Sequence, residues 1–286
     1  MMLSGKVSWV GKSSMEIRMQ CVEINKDGSE DEWLEAFFTF VTLDHITKKP
    51  VAMPPLLPQT NEERALFELG ALKAHAKKQA RRNKLQIGQP ITSETSLRID
   101  QKAAHLLAAA GPLLKMPSLA DPQSILMQHT KMQNAMIAQP QVRNLHDRIF
   151  GGFLMRRAFE LAFANAYVFG GAKPRFLEVD DVSFDSPVDV GDLLVFNSRV
   201  LYTQPEGGNL GSYVGVLGNM PLLSIEVECW VTEPENAKAR VSNHFYFTFG
   251  LPEGKSCRKV LPGNIDEARR MAARMAADEE QASLRA

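Results

Sequence analysis

Asn144-Leu145-His146-Asp147-Arg148-Ile149-Phe150-Gly151-Gly152 leads without a break into residues 153–169, and Gly170-Gly171 closes the run. The spacing predicts a helix over 153–169 that opens on two glycines and stops on two more. Phe153, Leu154, Met155, Ala158, Phe159, Leu161, Ala162, Phe163, Tyr167 and Val168 leave only Arg156, Arg157 and Glu160 as a narrow polar strip. A helix apolar on most of its faces is expected to be wrapped by protein. A strand is expected at 124–138 before it, and strands at about 176–184, 193–202, 213–217, 222–231 and 243–249 after it. One buried helix followed by a long antiparallel run is the plan of a sheet curled around a helix, an α+β architecture.

Toward the N-terminus, residues 6–9, 15–24 and 33–43 also read as sheet, with a turn at Lys26-Asp27-Gly28, and Pro54, Pro55 and Pro58 end it. Asn61-Glu62-Glu63 caps a helix to about Arg82, whose basic last turns suit the helix dipole. Residues 83–122 read as a linker holding a short helix at 102–110, and 266–286 as a charged terminal helix. Val7-Ser8-Trp9-Val10-Gly11 matches Pro187-Val188-Asp189-Val190-Gly191 in spacing, and Phe37-Phe38-Thr39-Phe40 matches Tyr246-Phe247-Thr248-Phe249. Two copies of one fold are implied, the first expected to lack its front, including its helix. The boundaries that follow are 1–60 for a partial first copy, 61–122 for helix and linker, 123–252 for a complete second copy and 253–286 for the tail.

Lys+Arg and Asp+Glu both total 33, so no basic excess exists to condense onto nucleic acid. Cys21, Cys229 and Cys257 form no close pair, which argues against a metal knuckle or a disulfide framework. No apolar run approaches the ~18 residues that cross a bilayer, and no targeting segment is visible.

Gly151 and Gly152 at the mouth of a buried helix let a carbonyl approach the backbone, where the first free N–H groups point outward at the positive end of the dipole. Such a mouth stabilises an oxyanion, as when water attacks a thioester. Asn144, Asp147 and Glu160 are candidates to orient and deprotonate that water. The plainer readings stand beside these. Asn144 can close an Asx turn, His146 can hold its loop, Asp147 can cap the helix, and Glu160 can pair with Arg156.

The stretch from Asn144 to Arg157 closely resembles the signature loop and helix of hot-dog acyl-CoA thioesterases, of the mitochondrial acyl-CoA thioesterase 9 type. The segments 4–16, 169–171 and 188–191 resemble the same family. The resemblance implies a tandem hot-dog, the first truncated at its N-terminus, with acyl-CoA held between the two. It implies hydrolysis to free fatty acid and CoA in a homo-oligomer, without metal or cofactor, CoA being part of the substrate, and a mitochondrial location. Asn144 falls on the family's loop Asn. The family's helix acid lies seven residues after the second glycine, which is Phe159 here, with Glu160 one step of about 100° further round. Arg148, Arg156 and Arg157 are candidates to grip CoA phosphates. The competing expectation is a catalytically silent relic serving as a structural subunit; a dehydratase on the same fold would want a firmer acid–base pair than His146 offers.

Overall fold

Residues 2–41 form a three-stranded antiparallel meander: β1 (Met2–Val10), β2 (Ser14–Ile24) and β3 (Glu30–Val41), followed by α1 (Asn61–Leu85). The computed structural model describes all residues except 45, 48, 86–93, 145–147, 181, 183, 185, 206–219 and 286, and in addition not the side chains of 32, 33, 76–85, 94, 95 and 281–285. The chain divides into Met1–Ile91 (unit 1) and Thr92–Ala286 (unit 2). The expected strand 213–217 lies outside the described residues.

In unit 1, α1 lies on the polar side of the meander. Gly70 makes the approach possible, since a Cβ there would stand 2.5 Å from Trp9 Cβ. The helix is tied down by Lys6 to Glu63 (2.5 Å), Arg18 to Glu62 (3.3 Å) and the Lys73 ammonium 3.9 Å above the Phe37 ring. Its N-terminus is capped reciprocally. The Glu63 amide donates to Thr60 Oγ1 (3.2 Å), and the Glu63 carboxylate accepts from the Gln59 and Thr60 amides, a capping box.

Unit 2 begins with α2 (Glu94–Ala109) and α3 (Gly111–Lys115). The strands β4 (Ser124–Leu126) and β5 (Met132–Ile137) follow, then α4 (Gly151–Gly170) and β6 (Arg175–Val179). The remainder is β7 (Leu193–Gln204), β8 (Leu222–Glu233), β9 (Lys238–Gly250), β10 (Lys259–Leu261) and α5 (Ile265–Arg285). Five strands make one antiparallel sheet in the order β5-β7-β8-β9-β6, and β10 pairs with β4 in parallel. The sheet has two unlike sides because alternate residues point opposite ways. Leu194, Phe196, Val200, Leu223, Ile225, Val227, Phe245, Phe247 and Phe249 are buried in one core with α4. On the other side Arg199, Glu226, Glu228, His244 and Tyr246 meet α5. There Arg270 reaches Glu228 (2.5 Å) and Glu226 (3.1 Å), and Arg274 bridges Asp180 (2.7 Å) and Asp278 while standing over the Tyr246 ring.

Three expectations are corrected. The stretch 124–138 is two short strands around a 3-10 turn at Met127–Thr130, because the Thr130 hydroxyl donates back to the Met127 carbonyl (2.7 Å). The supposed linker helix runs from Glu94 to Ala109 and belongs to unit 2, where Ala103 packs on Ala268 and Ala272 of α5. The repeat also has a different alignment. Gly11 lies in the turn between two paired strands, whereas Gly191 (φ +95°) precedes the first strand of a meander. The copies that correspond are β1-β2-β3 and β7-β8-β9, each with a helix on its polar side; Phe37–Phe40 and Tyr246–Phe249 keep their places on the third strands.

Candidate active site

α4 begins at Gly151, two residues earlier than expected, with Phe150 as its N-cap in extended backbone. It ends where Gly171 adopts the left-handed conformation (φ +61°) and its amide donates to the Tyr167 carbonyl (3.0 Å), a C-cap that L side chains adopt at a cost. Leu154, Ala158, Leu161, Ala162, Asn165 and Ala166 are buried. Asn165 is held by the Thr130 carbonyl (3.0 Å) and Ser198 Oγ (2.9 Å), so its buried amide is satisfied. The helix is not wrapped on all sides: Arg156, Glu160, Ala164, Tyr167 and Val168 form an exposed strip. Among the described residues the sheet covers one flank, and the outward Tyr167 and Val168 near the C-terminal end stay exposed.

The loop before α4 is tied at both ends. The Asn144 amide donates to the Arg148 carbonyl (2.6 Å), and the Arg148 amide donates back to Asn144 Oδ1 (3.2 Å). The Ile149 amide donates to the Val188 carbonyl (2.9 Å) and the Phe150 amide to the Val142 carbonyl (3.0 Å). Arg148 lies 3.8 Å from Asp189. The 188–191 segment is thereby the floor on which the helix mouth rests. Helix geometry leaves the Gly151 and Gly152 amides without an intrahelical acceptor. The first bond back into the loop is from the Phe153 amide to the Phe150 carbonyl (3.0 Å).

The glycines have a further reason. A Cβ on Gly151 would stand 2.8 Å from the Phe184 ring and one on Gly152 2.6 Å from the Phe150 ring. Both rings are more than half exposed. The space beside these α-carbons is filled by the protein's own aromatics, which flank the mouth; nothing in the sequence singled them out.

The other candidates are placed as follows. Glu160 is paired with Arg156 (3.0 Å) and Arg157 (2.7 Å). Phe159 packs against Phe163, Phe176, Phe247 and Phe249. His146 and Asp147 lie outside the described residues. On the far side of the sheet, ligand atoms of Glu226, Glu228 and His244 lie within 4.8 Å of one another, but Arg199 and Arg270 already answer both carboxylates. Burial alone would raise Glu226, yet His244, Arg270 and Arg199 outweigh it and hold the carboxyl below its ordinary value. Burial pushes the Cys229 thiol up to about 12 and the Cys257 thiol up to about 11.

A helix entered through two glycines and laid over the apolar side of a five-stranded antiparallel sheet in the order β5-β7-β8-β9-β6 defines unit 2 as a hot-dog domain. No protein-family model matches the chain. Over 288 residues it is 41% identical to the chloroplastic acyl-coenzyme A thioesterase 2 of Humulus lupulus, covering 96% of this chain and 61% of that protein. It is 42% identical to the mitochondrial acyl-coenzyme A thioesterase 4 of the same plant (96% and 50%) and 34% identical to human mitochondrial acyl-coenzyme A thioesterase 9 (86% and 52%). The chain is similar to these acyl-coenzyme A thioesterases along nearly its whole length, and it spans between half and about three-fifths of theirs. Among solved structures, an acyl-CoA hydrolase from Staphylococcus aureus in complex with butyryl coenzyme A matches 57% of this chain and 92% of its own at 22% identity and a TM-score of 0.47.

Proposed function

We propose that unit 2 supplies one half of a site that hydrolyses acyl-CoA thioesters to free fatty acid and CoA. The observation that carries this is the mouth of α4, where the Gly151 and Gly152 amides have no intrahelical acceptor, together with Asn144, whose Oδ1 accepts from the Arg148 amide (3.2 Å). In this reading the thioester oxygen accepts from the Gly151 and Gly152 amides as negative charge grows on it; each such donor is worth on the order of 3 kcal/mol of barrier. Asn144, held through its Oδ1, orients the attacking water, and Asp147 is the nearest carboxylate in sequence to take its proton. The helix acid comes from elsewhere. Phe159 occupies its position inside an aromatic cluster, and Glu160 is occupied by Arg156 and Arg157. Phe150 and Phe184 line the approach and favour an apolar acyl chain over a charged one.

Arg148 is the best placed of the three arginines to meet a CoA phosphate, because its pairing with Asp189 is long and solvent-exposed (3.8 Å), and such a pair is weak. A homo-oligomer and an organellar location, mitochondrial in the first instance, complete the reading by kinship. Among the described residues no helix is long and apolar enough to cross a membrane. The test is release of free thiol from acyl-CoA of graded chain length by the purified chain. Activity that falls at least tenfold in Asn144→Ala supports the assignment. Turnover unchanged in Asn144→Ala removes it, and no turnover at any chain length favours the silent subunit.

A further inference from the structure

Among the buried side chains of α4 one is polar, Asn165. Its amide nitrogen donates twice, to the Thr130 carbonyl (3.0 Å) and to Ser198 Oγ (2.9 Å). Thr130 is itself a joint. Its hydroxyl donates to the Met127 carbonyl (2.7 Å) and accepts from the Val200 amide (3.0 Å), beside the register shift between Val200 and Tyr202. Three elements therefore meet around Asn165: α4, the turn that opens into β5, and β7. Much of the remaining buried face of α4 is smooth. Ala158, Ala162 and Ala166 recur along it every fourth residue, and apolar contact is non-directional, so methyl groups alone set the position of the helix along the sheet weakly. A slide of one residue, about 1.5 Å, would break both bonds of Asn165 and leave buried polar groups unpaired, a penalty that apolar packing does not impose.

Two struts leave this joint and end on the same floor. The chain through β5 runs eight residues (138 − 130) from Thr130 to Ala138, roughly 26 Å when extended. There the Ala138 carbonyl accepts from the Gly191 amide (2.9 Å), and the Ala138 amide donates to the Asp192 carbonyl (2.9 Å). α4 runs 14 residues (165 − 151) from Asn165 back to Gly151, about 21 Å. Its mouth rests on the same segment through the Ile149 amide and the Val188 carbonyl (2.9 Å). We infer that Asn165 is a positioning residue: by locking α4 to the Thr130 turn and to Ser198, it fixes where the Gly151 and Gly152 amides stand over residues 188–192. Specifying register between otherwise apolar surfaces is the best-attested use of a buried polar group. A reacting site holds its groups to about 0.5 Å, and a misplacement of about 1 Å costs on the order of 100-fold in rate. The effect on rate rests on the thioesterase reading; the placement of the two amides rests on the geometry alone.

The test compares two variants of the full chain. Asn165→Leu removes both hydrogen bonds, while Leu161→Ala removes apolar packing from the same buried face of α4 and controls for lost stability. In nuclear magnetic resonance spectra of protein carrying isotope-labelled glycine, the Gly151 and Gly152 amide peaks are expected to move in Asn165→Leu and to stay in place in Leu161→Ala. Thiol release from acyl-CoA is measured well below both melting temperatures. In Asn165→Leu kcat is expected to fall at least tenfold with KM within twofold, the mark of a contact made in the transition state; in Leu161→Ala both should stay within twofold. Ser198→Ala withdraws one of the two acceptors and carries the same expectations, at smaller size, where Asn165→Leu does not fold. Unmoved glycine peaks overturn the proposal, and so does a kcat loss no larger than that of Leu161→Ala. A chain that releases no thiol in any form removes the thioesterase reading alone, and the glycine peaks then decide the positioning.

Discussion

Phe159 stands edge-on to Phe247, ring centroids 5.8 Å apart, on the side of α4 that meets the sheet. A carboxylate at 159 would be surrounded by four rings with no cation among them. Phe159→Asp should therefore lower unfolding free energy by at least about 3 kcal/mol in urea, in the range of Phe→Ala core losses, and add no turnover. A stable, faster Phe159→Asp protein would show that the position is still open to substrate.

Glu160→Gln should change little. Its two ion pairs are solvent-exposed i,i+3 and i,i+4 contacts, worth about 0.5 kcal/mol together. Thiol release is expected to stay within about twofold of the parent, a small change beside the 10²–10⁴-fold typical of a lost general acid or base. A collapse of kcat with unchanged folding would instead make Glu160 the acid.

At the helix mouth, Gly151→Ala must displace the Phe184 ring. A shift of the amides by about an ångström costs on the order of 100-fold in rate, so kcat/KM should drop that far while the melting temperature falls by only a few degrees. Equal activity in Gly151→Ala would show that these amides do not touch the reacting oxygen.

Acid should loosen α5 from the sheet. Glu226 has a folded pKa below its ordinary value, so its contribution is complete above the unfolded carboxylate value of about 4.3 and is lost as pH falls through the folded value. Arg270→Met removes one of the cations that lower it, and the acid midpoint of near-UV dichroism should move to higher pH. A midpoint unmoved by the substitution would place the acid sensitivity elsewhere.

Buried thiols with raised pKa values hold little thiolate at neutral pH. Cys229 and Cys257 should therefore resist alkylation in the native protein, leaving Cys21 as the fast site by mass spectrometry. Rapid loss of the Cys229 thiol would mean that unit 2 opens readily.

α4 and the strands β7 to β9 were readable because an apolar run bracketed by glycines and a period of two in hydrophobicity are local signals. The strand expected at 124–138 failed on a single hydroxyl, Thr130, whose bond to Met127 bends the chain without disturbing the apolar pattern. The repeat was half legible: Phe37–Phe40 and Tyr246–Phe249 share a strand position, but Gly11 and Gly191 look alike only because any glycine before an alternating stretch does. At the site, the ion pairs of Glu160 follow from helix spacing. The rings beside Gly151 and Gly152 do not, since Phe184 reaches the mouth through tertiary folding.

The turns in β1-β2-β3 are short, three residues from Gly11 to Ser13 and five from Asn25 to Ser29. Such local pairings form early, well before those that wait for distant partners, and this sheet is complete by Val41. A nascent chain that has just formed this sheet carries a greasy ribbon, the kind of exposed surface that makes folding intermediates prone to aggregate and that holdase chaperones would shield.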